Sequence, residues 1–269
     1  MRLGFVGGGV MAEAILAGAL RDGVVSPGEV VASDVIESRR DYLQATYGIR
    51  AVPDNGEALA GADLAVLAVK PQSLGEVLAG LKGRVPKEQA VVSIVAGAKI
   101  KTLTRGLGHE AVIRAMPNTP GQIGAGITVW TATEAVTETQ RGAAERVLGA
   151  LGRQVAVPDE KLIDMATALS ASGPAYVFLF IETLIDAGVY LGMARDLART
   201  LAVQTVIGSA TMVAETGQHP AALRDMVTSP GGTTAEALLA LEEGEFRATV
   251  MNAVIAAYEK AQSLGAEDK

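Results

Sequence analysis

Along residues 1–157 the spacing of apolar side chains keeps changing period, and each change marks an element. Residues 3–6 (Leu-Gly-Phe-Val) form a short apolar run that breaks into Gly7-Gly8-Gly9. Met11, Ile15 and Ala19 then recur at helical spacing, so strand, tight turn and helix follow one another at the start of the chain. Residues 29–33 and 49–52 read as further strands. Asp54 looks like a helix cap, with Glu57 three positions later. Residues 64–69 are an unbroken apolar run, as expected of a central parallel strand covered on both faces. Residues 90–95 and 111–116 repeat that character, 126–131 alternate as a half-exposed strand, and 138–151 return to a helical period. The alternation predicts one doubly wound α/β domain over residues 1–158.

From Pro158 onward helical periodicity dominates. One helix is expected over 161–169, halted around Ser170-Ala171-Ser172-Gly173-Pro174, with Pro174 suited to the first turn of the next. That next helix runs over 175–188 and carries Phe178, Ile181, Ile185 and Val189 on one face. Helices over 195–215 and 220–227 follow. After them come a loop, Thr228-Ser229-Pro230-Gly231-Gly232-Thr233-Thr234, and one or two final helices over 235–264. Residues 159–269 therefore read as an all-helical domain. Apolar, yet poor in aromatics to fill a core of its own, it would bury surface well against a second copy of itself.

The turn after the first strand carries the first candidate chemistry. Gly7, Gly9 and Ala12 occupy the three small positions of the G-x-G-x-x-G/A pattern, whose strand-turn-helix setting points to a Rossmann-type dinucleotide site. The first glycine permits the turn, the second admits a pyrophosphate to the backbone, and the third small residue lets helix and strand pack closely. Free N–H groups at the new helix then face the phosphates. Asp34 lies close to where such a fold places the acid that reads the ribose 2′-OH of NAD. Ser33 before it and Arg39-Arg40 after it suit the 2′-phosphate of NADP instead, and the segment leans toward NADP. Lys70-Pro71 and Ala96-Gly97 end two neighbouring strands at the carboxyl edge, where ligands bind in open α/β sheets. Pro117 and Pro120 stiffen the loop between them.

Composition narrows the classes. Among the 269 residues there is no cysteine, which removes disulfides, thiolate metal sites and cysteine nucleophiles; two histidines, His109 and His219, make a multi-histidine metal site improbable. No metal is expected. A net charge of −7 and a pI near 5.0 argue against nucleic acid or an acidic membrane as partner. Mean hydropathy is high at +0.29, yet runs such as 175–181 are interrupted by Glu182 and Asp186, short of the ~18 apolar residues of a membrane span. With no charged-then-apolar leader at the start, a cytoplasmic enzyme is the expectation.

Four segments together resemble the pyrroline-5-carboxylate reductase family over essentially the whole chain. They are Gly7-Gly8-Gly9-Val10-Met11-Ala12, Ala68-Val69-Lys70-Pro71-Gln72, Met116-Pro117-Asn118-Thr119-Pro120, and Asp225-Met226-Val227-Thr228-Ser229-Pro230-Gly231-Gly232-Thr233-Thr234. The first is shared by many dehydrogenases; the last is specific. The resemblance implies reduction of 1-pyrroline-5-carboxylate to L-proline by NADPH or NADH, the last step of proline biosynthesis. It also implies an interlocked homodimer of the helical halves, often assembled further into a decamer, a pentamer of dimers. Cofactor positions carried over are Gly7, Gly8, Gly9, Val10 and Met11 in the turn, with Ser33 and Asn55, then Ala68, Val69, Lys70 and Pro71, and then Ile94, Val95 and Ala96. Substrate positions carried over are Glu160, Thr233 and Thr234, with Ser229 helping to bind the carboxylate. Many relatives read Ser-Gly-Ser-Gly-Pro-Ala where Ala171 here replaces the first glycine, which is tolerated unless that backbone needs a positive φ.

A small cyclic imine with a carboxylate asks for donors without competing acceptors. A Gly-Gly-Thr-Thr turn entering a helix, with Gly232 at its bend, offers free N–H groups, hydroxyls and a favourable dipole. His109 and His219 both read as structural, so an imine that arrives already protonated would leave positioning to carry the rate. Thr234 is the candidate catalytic group, hydrogen-bonding the ring nitrogen, with an N-cap role as the alternative. Glu160 is expected to orient or shape the pocket. Two other functions compete: a hydroxy-acid dehydrogenase using Lys161, and a non-catalytic dinucleotide sensor. The first lacks small polar neighbours around its lysine, and the second sits badly with an intact loop at residues 229–234.

Overall fold

The computed structural model describes residues 1–266. Strand β1 (Leu3–Val6) leads through the glycine turn into α1 (Val10–Arg21). Then come β2 (Val30–Ser33), α2 (Glu37–Tyr47), β3 (Arg50–Val52) and the short α3 (Asn55–Leu59). The alternation continues with β4 (Leu64–Leu67), α4 (Leu74–Leu81), β5 (Ala90–Ser93), α5 (Ile100–Leu107) and β6 (Val112–Met116), and ends with β7 (Gly126–Ala132), α6 (Glu138–Gly149) and β8 (Gly152–Ala156). The sheet order is β3-β2-β1-β4-β5-β6-β7-β8. Strands β1 to β6 pair in parallel, β7 runs antiparallel to β6, and β8 is parallel to β7. The chain runs outward from β1 to β3, then crosses back to place β4 on the other side of β1. That reversal is the switch point at which open α/β sheets bind ligands.

Period-two alternation feeds two cores, one on each face of the sheet. Leu3, Phe5, Leu64, Val66 and Val92 pack with Ile15 and Leu16 of α1 and with Val147 and Leu148 of α6. Val6, Ala65, Leu67 and Val91 pack with Leu74 and Leu78 of α4 and with Leu103 and Leu107 of α5. Strands so covered have no polar face, which is why 64–69 reads as a continuous apolar run. Each such Leu, Ile or Phe withdrawn from water contributes about 1.5–3 kcal/mol. The strand with no signal in the sequence is β8. Its Arg153 and Gln154 look like loop residues, but this is an edge strand, and Gln154 Oε1 accepts the indole N–H of buried Trp130 at 2.6 Å.

Two compact units emerge: Met1–Ser172 together with the chain from Ala257 onward, and Gly173–Ala256. The change of pattern at Pro158 marks where strands stop, whereas the first unit continues through α7 (Lys161–Ala166). Nor does the helix halt in a loop at 170–174, as its Ser-Ala-Ser-Gly-Pro run suggested. It widens into a π-helical turn (Thr167–Ala171), closed by Ser172 N–H on the Thr167 carbonyl at 2.9 Å, and passes into α8 (Gly173–Tyr190). Pro174 has no N–H to give the Ser170 carbonyl. Asn118 supplies one instead: its Nδ2 donates to Ser170 O at 3.1 Å, and its Oδ1 accepts from Ile127 N at 2.9 Å.

The second unit holds α8, α9 (Arg195–Thr216), α10 (Pro220–Met226), α11 (Thr233–Glu243) and the first half of α12 (Phe246–Ala266). Helices α8 and α9 cross so closely at Gly188 that a β-carbon there would lie 2.8 Å from that of Ala198. Little else is covered. No side chain of α8 or α11 is buried, and only Ala198 and Ala202 are on α9. Phe178, Leu179, Ile207, Met212, Leu239 and Met251 are all exposed. The expectation that no segment reaches membrane-span length is corrected here. The helical runs Lys161–Tyr190 and Arg195–Thr216 are long and apolar enough to cross a bilayer by length and composition, because isolated charges such as Glu182 do not lower an eighteen-residue average enough.

Replacing Asn118 by alanine strands the Ser170 carbonyl and the Ile127 N–H. Urea denaturation should show a loss of about 1–3 kcal/mol for Asn118→Ala, with Asn118→Asp in between because it keeps only the Ile127 bond.

Candidate dinucleotide and substrate sites

The turn between β1 and α1 is tightly determined on one side and open on the other. Gly7 has φ +93°, and a β-carbon there would sit 2.8 Å from the Ala68 carbonyl oxygen. Its N–H donates to Ser33 O at 2.9 Å, tying the turn to β2. Gly9, the N-cap of α1, has nothing within 4 Å of where its β-carbon would be, and no side chain caps the helix. The first N–H groups of α1, beginning at exposed Val10 and half-buried Met11, are thus free beside an open backbone. An uncapped helix start beside open glycine fits a pyrophosphate.

Neighbouring strand ends complete this edge. Ala68 N–H donates to Val6 O and Ile94 N–H to Leu67 O, so the half-exposed stretches around Ala68-Val69 and Ile94-Ala96 flank the turn. Val95 itself is buried at 3% exposure and serves the core. Lys70 is exposed and stands at the N-cap of a 3₁₀ turn that Pro71 opens into α4, just past the end of β4.

At the ribose corner the structure departs from the sequence expectation. Ser33 is fully buried, and its hydroxyl hydrogen-bonds Asn55 Oδ1 at 2.7 Å and the Phe5 carbonyl at 3.1 Å. It therefore fixes Asn55 from inside and does not face a 2′-phosphate; Asn55 keeps its amide nitrogen for a ligand. Asp34 accepts from Gly8 N at 3.0 Å and from Ile36 N at 2.9 Å. Arg39 Nε donates to the Gly8 carbonyl, and its guanidinium pairs with Glu13 and lies 5.0 Å over the Tyr42 ring. Arg40 donates to the carbonyls of Asp34 and Val35 at 2.9 and 3.2 Å. Glu13 also accepts from Tyr42 at 2.9 Å and Tyr47 at 2.7 Å. Burial pushes the Glu13 carboxyl up, but hydrogen bonds from Arg39, Tyr47 and Tyr42 outweigh it and hold the group below the usual carboxylate range. Glu13 carried no signal in the sequence, because a glutamate in the first turn of a helix looks like an ordinary dipole partner.

Glu160 is committed elsewhere than expected. Its Oε1 accepts from Arg114 at 2.8 Å and from Ile100 N, at the start of α5, at 2.8 Å. Arg114, 2% exposed on β6, also bridges to Asp164 at 2.8 Å, and Asp164 pairs with Lys99. Two cations and two carboxylates thus pin α7 to the sheet. Neither Asp164 nor the arginine on an interior strand that it shares with Glu160 carried a signal in the sequence.

In the second unit the loop at residues 229–234 enters α11. Gly232, not Thr234, is the N-cap, and no side chain caps it. Thr234 occupies the second helical position, half-buried, its hydroxyl without a hydrogen bond to any described residue. Ser229 and Thr233 are exposed. A β-carbon on Gly232 would lie 2.3 Å from Ser229 Oγ and 3.2 Å from the Ser229 carbonyl oxygen, so a larger residue there would push the Ser229 hydroxyl aside. Both histidines are occupied structurally: buried His109 contacts the Gln89 carbonyl through Nε2 at 2.8 Å, and His219 Nδ1 caps α10 by accepting from Ala221 N at 3.2 Å. Among the described residues no three His, Asp or Glu side chains cluster as a metal site.

Residues 160–264 match the family described as pyrroline-5-carboxylate reductase dimerisation, and residues 2–97 match NADP oxidoreductase, coenzyme F420-dependent. A pyrroline-5-carboxylate reductase of Synechocystis is 46% identical, over 98% of this chain and 98% of its own. The solved pyrroline-5-carboxylate reductase of Coxiella burnetii superposes with a TM-score of 0.90 at 37% identity, covering 98% of each chain. The pyrroline carboxylate reductase of Plasmodium falciparum, solved with NADP bound, gives 0.90 at 35% identity and the same coverage.

Two substitutions test these arrangements. Gly7→Ala should weaken NAD(P)H binding at least about tenfold in a fluorescence titration, since the Ala68 carbonyl must move. Arg114→Met should cost about 3 kcal/mol by leaving buried Asp164 with Lys99 as its one remaining cation, and adding Asp164→Leu should recover most of it.

Proposed function

Because the chain belongs to the pyrroline-5-carboxylate reductase family, it is an NAD(P)H-dependent reductase of 1-pyrroline-5-carboxylate, and we propose how its residues divide that work. The reading rests on full-length identity of 46% to such an enzyme. The loop at residues 229–234 is intact beside it. The dinucleotide, when bound, supplies the hydride. Gly7, Gly8 and Gly9, with Val10 and Met11, take its pyrophosphate on backbone N–H groups. Asp34, Arg39 and Asn55 face its ribose, and the chain at Ala68, Val69, Lys70 and Pro71 and at Ile94 and Ala96 borders it. Ser33 and Val95 act behind that surface by holding it in shape.

The uncapped start of α11 and the hydroxyls of Ser229 and Thr233 take the substrate's carboxylate, with Gly232 bending the loop so that its N–H groups converge. Thr234 hydrogen-bonds the ring nitrogen. As the hydride reaches the imine carbon, the C=N pair moves onto nitrogen, and an imine already protonated ends as the secondary amine of L-proline with no further proton needed. His109 is buried against the Gln89 carbonyl and His219 Nδ1 caps α10, in keeping with that route. Glu160 is a positioning residue that works through Arg114. The second unit's uncovered helices support self-association, as the dimerisation match does. We place the enzyme in the cytoplasm as a homodimer, assembled further into a pentamer of dimers, which sedimentation would read directly.

The catalytic assignment is tested by turnover. Thr234→Ala should lower kcat/KM for pyrroline-5-carboxylate about a hundredfold at unchanged Tm while Thr234→Ser keeps most activity. Near-normal kcat/KM in the alanine variant would remove Thr234 from the chemistry.

A further inference from the structure

NADPH and NADH differ by one 2′-phosphate, which carries about −1.5 to −2 charge at neutral pH. A corner that favours NADPH must therefore present net positive charge to the ribose. In this chain four charged side chains stand there, Glu13, Asp34, Arg39 and Arg40, and they sum to zero. Both carboxylates are committed: Asp34 to Gly8 and Ile36 N–H groups, Glu13 to Arg39, Tyr42 and Tyr47. Arg40 is turned onto carbonyls of its own turn. Arg39 is the cation best placed for a phosphate, because its Nε reaches the Gly8 carbonyl in the glycine turn itself. It is also the one whose charge is cancelled by a neighbour on another helix.

We propose that Glu13 is the specificity-determining residue of the dinucleotide site: by neutralising Arg39 against α1 it holds the enzyme near balance between NADPH and NADH. The inference rests on the reading of this turn as the dinucleotide site. Glu13 belongs to α1 and Arg39 to α2, so the pair spans the two elements that frame the ribose. Tyr42 from the middle of α2 and Tyr47 from its last position brace the carboxylate, their rings 6.5 Å apart edge to face. Arg39 has five N–H donors and spends only part of them on Gly8 and Glu13, which leaves an edge of the guanidinium for a phosphate. What Glu13 removes is the net charge, not the donor.

Glu13→Gln separates the two, since the amide keeps size and acceptor oxygen but carries no charge. The readout is the ratio of kcat/KM with NADPH to kcat/KM with NADH, which is insensitive to the fraction of enzyme folded. At low salt Glu13→Gln should raise this ratio about tenfold, chiefly through the KM for NADPH. High salt should shrink the gain. Arg39→Ala should lower the ratio, and adding Glu13→Gln to it should raise it by clearly less than in the wild-type background, because the guanidinium that would use the freed charge is gone. An unchanged ratio in Glu13→Gln, or an equal rise in the Arg39→Ala background, would overturn the proposal. Fluorescence titration gives the same ratio as dissociation constants without turnover. A shifted Kd ratio in an enzyme that fails to reduce the imine would sink the functional reading and leave this one standing.

Discussion

One backbone conformation underlies the edge proposed to hold the dinucleotide. Gly7 must hold φ near +93° with the Ala68 carbonyl where a β-carbon would be. That brings the end of β1 against the end of β4, across the point where the strand order reverses. The N–H of Gly7 fixes the turn to β2, and the N–H and carbonyl of Gly8 are taken by Asp34 and Arg39. Gly9 alone is left bare, at the start of an uncapped helix. The turn is rigid because it is held from three sides, and it is receptive because the fourth is empty.

Charge is distributed in the first unit by the same rule. Arg114 is met by Glu160 and Asp164, Asp164 by Lys99, Arg39 by Glu13, and Glu29 by the chain's own N-terminus. The amino group and the Ser26 hydrogen bonds draw the Glu29 carboxyl down to about 2. A buried guanidinium such as Arg114 is tolerable only with carboxylates in hydrogen-bond reach, because desolvation otherwise outweighs attraction. Exposed groups without such partners among the described residues, Lys70 after β4 and the hydroxyls of Ser229 and Thr233, are then the ones available for the ligand roles proposed for them.

How much of this was legible in the sequence follows from the range of each signal. The strands 64–69, 90–95 and 111–116 were readable because burial on both faces writes itself into consecutive residues. The glycine turn and the 229–234 loop were readable because backbone geometry and free N–H groups demand particular residues at fixed spacing. β8 was not, since an edge strand is defined by its neighbour, here Trp130 reaching Gln154. The inward turn of Ser33, the commitment of Glu160 to Arg114 and the grip of Glu13 on Arg39 were hidden for a related reason. Each joins residues far apart along the chain, and neither partner alone differs from an ordinary surface or capping residue. Ser170 to Pro174 misled in another way: the composition of a helix stop is also that of a π turn whose lost hydrogen bond a distant asparagine restores.

The helices of the second unit pose a choice that composition cannot make. They are long and apolar enough to cross a bilayer, and the same faces would serve an interface between proteins. Charge placement separates the two. The groove between α8 and α9 is lined by Phe178, Ile181 and Ile185 together with Glu182, Arg195 and Arg199. Asp186 and Arg195 bridge at 2.9 Å while both remain well exposed. A charge such as Glu182 in the middle of a spanning helix costs about 2.5–3.5 kcal/mol on insertion scales, with nothing in lipid to return it. A second copy of the same surface offers apolar side chains for the phenylalanines and isoleucines, and opposite charges for the carboxylates and guanidinia. Alternating apolar rows with isolated charges therefore suits a self-complementary protein interface better than lipid, and it explains why helices so long can leave their own unit with so little buried.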